Sequence, residues 1–292
     1  MEIFEENICG WRCYRLSAGD VSLGVVPAIG GRILSLTFRG EELLYVHGPE
    51  AGRTYDFSAV KDLRSFKKDF GFRIWGGDKT WIAPEKDWWE SIPPLELDAG
   101  QYAFEAHGTG VVMTSPVCRE TGLQLTRRVS LASDGVISLE QDFFNTTSRE
   151  IVRGIWNVTQ VLKPFDVYVP ADLKNVRSYY HEDPTLPRHE VELVSEDGWV
   201  KIACSGNVCY KFGAMVREGK AVLVRETARG KVAIAYSFSA DPDRRYAHNS
   251  IVEVFNAERY GYGEIEIHSP LLRIPPLGRG AFRQEWRLSV DS

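Results

Sequence analysis

The strongest constraint in this chain is its punctuation. Short runs rich in β-branched and aromatic residues are each closed off by Gly, Pro, Asn or Asp, and few stretches carry an apolar stripe with the helical period. Residues 21–46, VSLGVVPAIGGRILSLTFRGEELLYV, set the pattern. Pro27, Gly30-Gly31 and Gly40-Glu41 interrupt the runs with hairpin chemistry, while Ile33, Leu34, Leu36 and Phe38 alternate around Ser35 and Thr37 as in a half-buried strand. Further strands are expected over 102–106, 111–114, 123–131, 136–145, 152–162, 191–212 and 281–290, with hairpins through Gly219-Lys220 and Gly230-Lys231. In 123–131, Leu125, Arg127, Val129 and Leu131 point one way and Thr126, Arg128 and Ser130 the other. The best helical candidate, 56–69, lacks a wide apolar face, and the polar, Pro-punctuated 172–189 reads as a loop over a sheet. Strands at such short spacing imply an all-β protein, a sandwich or a barrel.

A length of 292 residues suits one domain over 1–292, because large all-β folds commonly run as a single unit. The net charge of −5, without a polybasic block, argues against nucleic acid or an anionic membrane surface as partner. The opening MEIFEENICGWRCYRL has neither a basic nor an apolar leader region, and no apolar run approaches the ~18 residues of a membrane span. Cys9, Cys13, Cys118, Cys204 and Cys209 are odd in number and fall into no CxxC or zinc-finger spacing, so free thiols in a reducing cytoplasm are expected. No motif implies a metal or another cofactor, although an acidic groove could bind Ca²⁺ without leaving one.

Two stretches carry candidate chemistry. In 260–273, YGYGEIEIHSPLLR, Glu264, Glu266 and His268 alternate with Ile265 and Ile267, so two carboxylates and an imidazole share one face of a strand. Such a face can be merely solvated, or it can be a proton-transfer site. Residues 71–101, GFRIWGGDKTWIAPEKDWWESIPPLELDAGQ, hold Trp75, Trp81, Trp88 and Trp89 among prolines and glycines. Tryptophan beside Asp78 and Lys79 suits a sugar, which offers C–H faces for stacking and hydroxyls for charged hydrogen bonds. The same rings could equally anchor a long loop. Gly76-Gly77 would let a ligand approach the backbone, or make a turn capped by Asp78. Arg32, after Gly30-Gly31, could hold a hydroxyl, carboxylate or phosphate, or serve only the turn.

The segments VVPAIGGRILSLTFRGEELLYV, GGDKTWIAP, GIWNVTQV and YGEIEIHSPLLRIPPLGRG, in that order, resemble the galactose mutarotase-like (aldose 1-epimerase-like) superfamily over roughly residues 21–288. The resemblance implies a β-supersandwich of large antiparallel sheets with a sugar in a groove on a concave face. It also implies anomer interconversion, with a Glu taking the proton of the C1 hydroxyl and a His serving the ring oxygen. Ile265-Glu266 matches the segment of the family base, with Glu264 as its fallback or as an acceptor from a sugar hydroxyl. The family His falls in 154–160, where Asn157 stands, or Trp156 if the register slips by one. Asparagine can hydrogen-bond a ring oxygen but cannot deliver a proton. His268 could substitute, and His181, His189 and His248 are loop candidates. The groove is then expected to be lined by Arg32, Asp78, Lys79, Trp81, Trp88, Asn157 and Glu264, around a sugar or sugar derivative. A carbohydrate-binding protein without catalysis is the alternative that Asn157 favours. Glycan cleavage by Glu264 and Glu266 is disfavoured, since glycosidase carboxyls flank the scissile bond.

Overall fold

The computed structural model describes residues 3–179 and 193–290 of the chain. His181, His189 and most of the loop expected over 172–189 lie outside the described residues. Two antiparallel sheets face each other. The first orders its strands Ile3–Ile8, Trp11–Ala18, Val21–Val26, Arg32–Phe38, Asp78–Ala83, Ile151–Leu162, Tyr262–His268, Val252–Asn256, Tyr210–Ala214 and Val176–Ser178. The second orders Val194–Glu196, Trp199–Cys204, Phe165–Val169, Lys220–Thr227, Gly230–Phe238, Arg279–Val290, Ile137–Asn145, Leu123–Leu131, Gly110–Thr114 and Ala103–His107. The all-β sandwich read from the punctuation is therefore the architecture.

Alternation places the core. Along Arg279–Val290, Gly280, Phe282, Gln284, Trp286 and Leu288 are buried while Arg279, Arg283, Glu285 and Arg287 face solvent. Phe282, Trp286 and Leu288 meet Ile33, Leu36, Ile155, Val161, Ile265 and Ile267 of the first sheet in one large apolar cluster. The expected hairpin at Gly230 is present, pairing Thr227 with Gly230. At Gly219 there is none, because Tyr210–Ala214 and Lys220–Thr227 belong to different sheets. The helix expected over 56–69 occupies Leu63–Phe70, where the Asp62 side chain accepts from Ser65 N at 3.0 Å and caps it.

The middle of the first sheet departs from simple alternation: Asp78–Ala83 and Tyr262–His268 are buried at every residue. One face of these strands lies on the second sheet. The other is covered in part by the tryptophan-rich segment: Trp88 packs against Trp81, Ala83, Trp156 and Val158, while Trp75, Ile92 and Leu95 join Trp11, Val26, Phe57 and Leu63 in a further apolar cluster. Gly76 and Gly77 make this layering possible, but for protein backbone: a Cβ on Gly77 would stand 2.4 Å from Ile33 O, and one on Gly76 2.1 Å from Tyr45 O. Both also have φ in the left-handed region, +100° and +69°. Gly77→Ala is accordingly expected to cost more than ~1 kcal/mol of stability, read as a lower denaturant midpoint at unchanged slope.

Candidate active site

Register decides which polar side chains meet. Trp156 pairs with Trp81 on one side and His268 on the other, and Val158 likewise with Lys79 and Glu266, so these side chains share the outward face of the sheet. Glu253 pairs with Glu266 across the next strand and extends the same face. The expectation that Glu264, Glu266 and His268 share a face holds, and all three are buried rather than solvated.

Asp78 and Asn157 do not join them. Each is one residue out of phase and points between the sheets, where Arg127 ion-pairs with Asp78 and the Asn157 amide donates to the same carboxylate. Thr159 Oγ1 adds a 2.7 Å bond to Asp78. Asn157 Oδ1 accepts from Gln141 at 3.1 Å and Gln284 at 2.8 Å. The pair thus belongs to a closed polar network in the core, with every partner supplied by the chain. On the outward face of the 151–162 strand stands Trp156 instead.

The polar side chains on this outward face fall into two linked halves. In the first, Gln160 Nε2 donates to Glu264 Oε1 at 2.7 Å, and Lys79 Nζ lies 3.4 Å from the same oxygen and 4.4 Å from the Trp81 ring centre. Trp81 Nε1 donates to Asp98 at 2.7 Å, and Arg32 Nη2 reaches the same Asp98 oxygen at 2.7 Å, so Arg32 is buried in an ion pair behind the tryptophan. Burial lowers the Lys79 pKa, against the pull of Glu264.

In the second half, Glu266 Oε2 accepts from Trp156 Nε1 at 2.7 Å and from Lys211 Nζ at 2.8 Å. Lys211 also lies 2.8 Å from Glu253 Oε2. Glu253 Oε1 is 3.0 Å from both His248 Nδ1 and the Tyr179 hydroxyl, while His268 Nε2 is 3.3 Å from Glu253 Oε2. His248 in turn contacts Glu85. Burial, reinforced by the charges of Glu253 and Glu264 and opposed by Lys211, pushes the Glu266 pKa up to about 8. For Glu253 burial acts the same way, but Lys211 and the two imidazoles outweigh it and hold that carboxyl well below its usual range. Of the two carboxyls that share Lys211, Glu266 is therefore the one that takes up a proton. Burial lowers the pKa of His268; that of His248 rises to about 9, because Glu253 and Glu85 overcome its burial.

Aromatic rings border this cluster. Trp88 stacks on Trp156 at 5.7 Å with planes 22° apart, and Trp81 meets both rings edge-on. Trp88 and Lys211 are half-buried, and Phe72 and the Glu85 side chain are exposed, at 55% and 51%, so the face reaches solvent along this side. Sequence reasoning missed Lys211, Glu253 and Glu85. Val252–Asn256, VEVFN, carried a usable signal, since Glu253 sits between Val252 and Val254 as Glu266 sits between two isoleucines.

Three solved structures show the same architecture. The Slr1438 protein from Synechocystis sp. PCC 6803 superposes with a TM-score of 0.63 at 13% identity, covering 99% of this chain and 100% of its own. A galactose mutarotase-like protein from Lactobacillus casei ATCC 334 gives 0.62 at 11%, covering 95% and 100%. Another from Clostridium acetobutylicum gives 0.54 at 12%, covering 99% of each chain. Such low identity carries the fold, which is that of the galactose mutarotase-like superfamily. No curated protein matches the sequence. The family described as Domain of unknown function (DUF4380) matches residues 12–289, and the chain belongs to it.

Proposed function

We propose that this protein binds a sugar or sugar derivative on the outward face of its first sheet and interconverts its anomers, with Glu266 as the base. The observation that carries the reading is the Glu266 carboxyl itself. It is buried and held by Trp156 and Lys211, and its raised proton affinity suits a group that must accept a proton and return it. Lys79, Gln160 and Glu264 offer donors and an acceptor for sugar hydroxyls, and Trp81, Trp88 and Phe72 offer stacking surfaces.

The ring oxygen needs an electrophilic partner. With Trp156 on the 151–162 strand, imidazole comes from elsewhere: the His248 ring stands edge-on to Trp156 at 4.7 Å, and His268 stacks beside it at 5.3 Å. The five unpaired thiols fit a reducing compartment such as the cytoplasm. Trp156 in place of a histidine also favours a second reading, sugar binding without catalysis. Polarimetry separates the two: accelerated equilibration of a freshly dissolved aldose supports the first, and binding without acceleration supports the second. Trp88 should report occupancy. Its indole is half-buried and donates to Ile82 O at 2.8 Å, so a stacking sugar is expected to shift fluorescence, and the shift should vanish in Trp88→Phe. A shift that survives unchanged in Trp88→Phe would remove Trp88 from the binding surface.

A further inference from the structure

His248, Glu253 and His268 converge from a loop and two neighbouring strands, and one donor atom from each lies within 4.8 Å of the others. Among them His268 is left unusually free. His268 is fully buried, yet neither of its ring nitrogens has a hydrogen-bond partner among the described residues; Nε2 stands 3.3 Å from Glu253 Oε2 without the alignment of a bond. Nε2 of His248 faces Glu85, which leaves Nδ1, 3.0 Å from Glu253 Oε1, on the side of His268, and Glu253 Oε2 is shared between Lys211 at 2.8 Å and His268. Two such nitrogens on one buried imidazole are costly, since each forfeits its water without gaining a partner.

We propose that His248, Glu253 and His268 form a binding site for a divalent first-row transition metal ion, with zinc as the representative ion. Two imidazoles and a carboxylate are the donor set that zinc and its neighbours prefer, whereas Ca²⁺ and Mg²⁺ select oxygen. The local charge agrees: Glu85, Glu253 and Glu266 gather around Lys211, and Glu266 can keep the ammonium while Glu253 turns to the ion. The orienting contacts around a ligand set are present too, because Glu85 faces His248 and the Tyr179 hydroxyl lies 3.0 Å from Glu253 Oε1. Three protein ligands leave room for water or a substrate oxygen. An ion there would polarise that oxygen on the face that also carries Glu266. The site stands whether or not a sugar is the substrate.

The test uses Zn²⁺ alone, with Co²⁺ as its coloured substitute. Chelator-stripped full-length protein, dialysed against buffered Zn²⁺, should retain about one ion per chain and melt at higher temperature with it. Co²⁺ should produce the visible absorption of a nitrogen- and oxygen-bound centre. Loss of an outer partner alone costs roughly 10–100-fold in affinity, so His268→Ala and His248→Ala are each expected to lose more than about 100-fold. His248 lies on a loop and is not fully buried, so its variant keeps the test open if His268→Ala does not fold. Failure of the wild-type protein to retain Zn²⁺, or retention unchanged in His248→Ala, overturns the site; retention is read without a sugar, so its failure is distinguishable from a failure of anomer exchange.

Discussion

Glu266→Gln is expected to lower anomer exchange by about 10²–10⁴-fold, the usual contribution of a positioned acid or base, while sugar affinity stays within a few-fold. The substitution is close to isosteric. The amide oxygen can still accept from Trp156 Nε1, and Lys211 keeps Glu253 as a counter-ion 2.8 Å away. What the glutamine cannot do is take up a proton. A fall in kcat with little change in KM would be the signature of a group that acts in the transition state. Unchanged catalysis would remove Glu266 from the chemistry, and Glu264→Gln would then be the variant to read, as the neighbouring carboxyl on that face.

The second large effect concerns stability. Arg127→Met is expected to cost about 3–5 kcal/mol, because it leaves the wholly buried Asp78 carboxylate without its counter-charge. The same guanidinium donates to Gly31 O at 2.8 Å and Asp78 O at 3.0 Å, so two carbonyls lose donors as well. Asp78→Asn in the Arg127→Met background should recover part of the loss, because it removes the stranded charge. A drop of less than ~1 kcal/mol in denaturant unfolding of Arg127→Met would mean that the network between the sheets contributes shape rather than energy.

These two residues mark how far the sequence could be read. Period-two alternation was enough for Glu264, Glu266 and His268, because Ile265 and Ile267 show which side is apolar. It was also enough to put Arg127 on the side of Leu125 and Val129, though not to say that an arginine could live there; its partner Asp78 is 49 residues away. The stretch DKTWIA gave no such guide. Its polar residues occupy both faces, so the sequence does not tell Asp78 from Lys79 as a groove residue, and only the pairing of Thr159 with Asp78 and of Val158 with Lys79 separates them. Asn157 and Trp156 exchange places for the same reason. Glu253 and Lys211 escaped notice because what gives them meaning, one ammonium between two carboxylates, is assembled by three strands whose order no local pattern encodes. The tryptophans divided as chemistry would divide them: Trp75 is sealed in the apolar layer with Phe57 and Leu63, while Trp81 and Trp88 border the buried carboxyls.

The most direct test of the central claim is saturation-transfer NMR of the wild-type protein and Glu266→Gln against a panel of aldoses and uronic acids, reading ligand contact and α/β exchange in one experiment. Contact with at least one sugar is expected in both proteins, and accelerated exchange in the wild type only. Exchange accelerated equally by both proteins would contradict the role given to Glu266, and no contact with any member of the panel would contradict the sugar site itself.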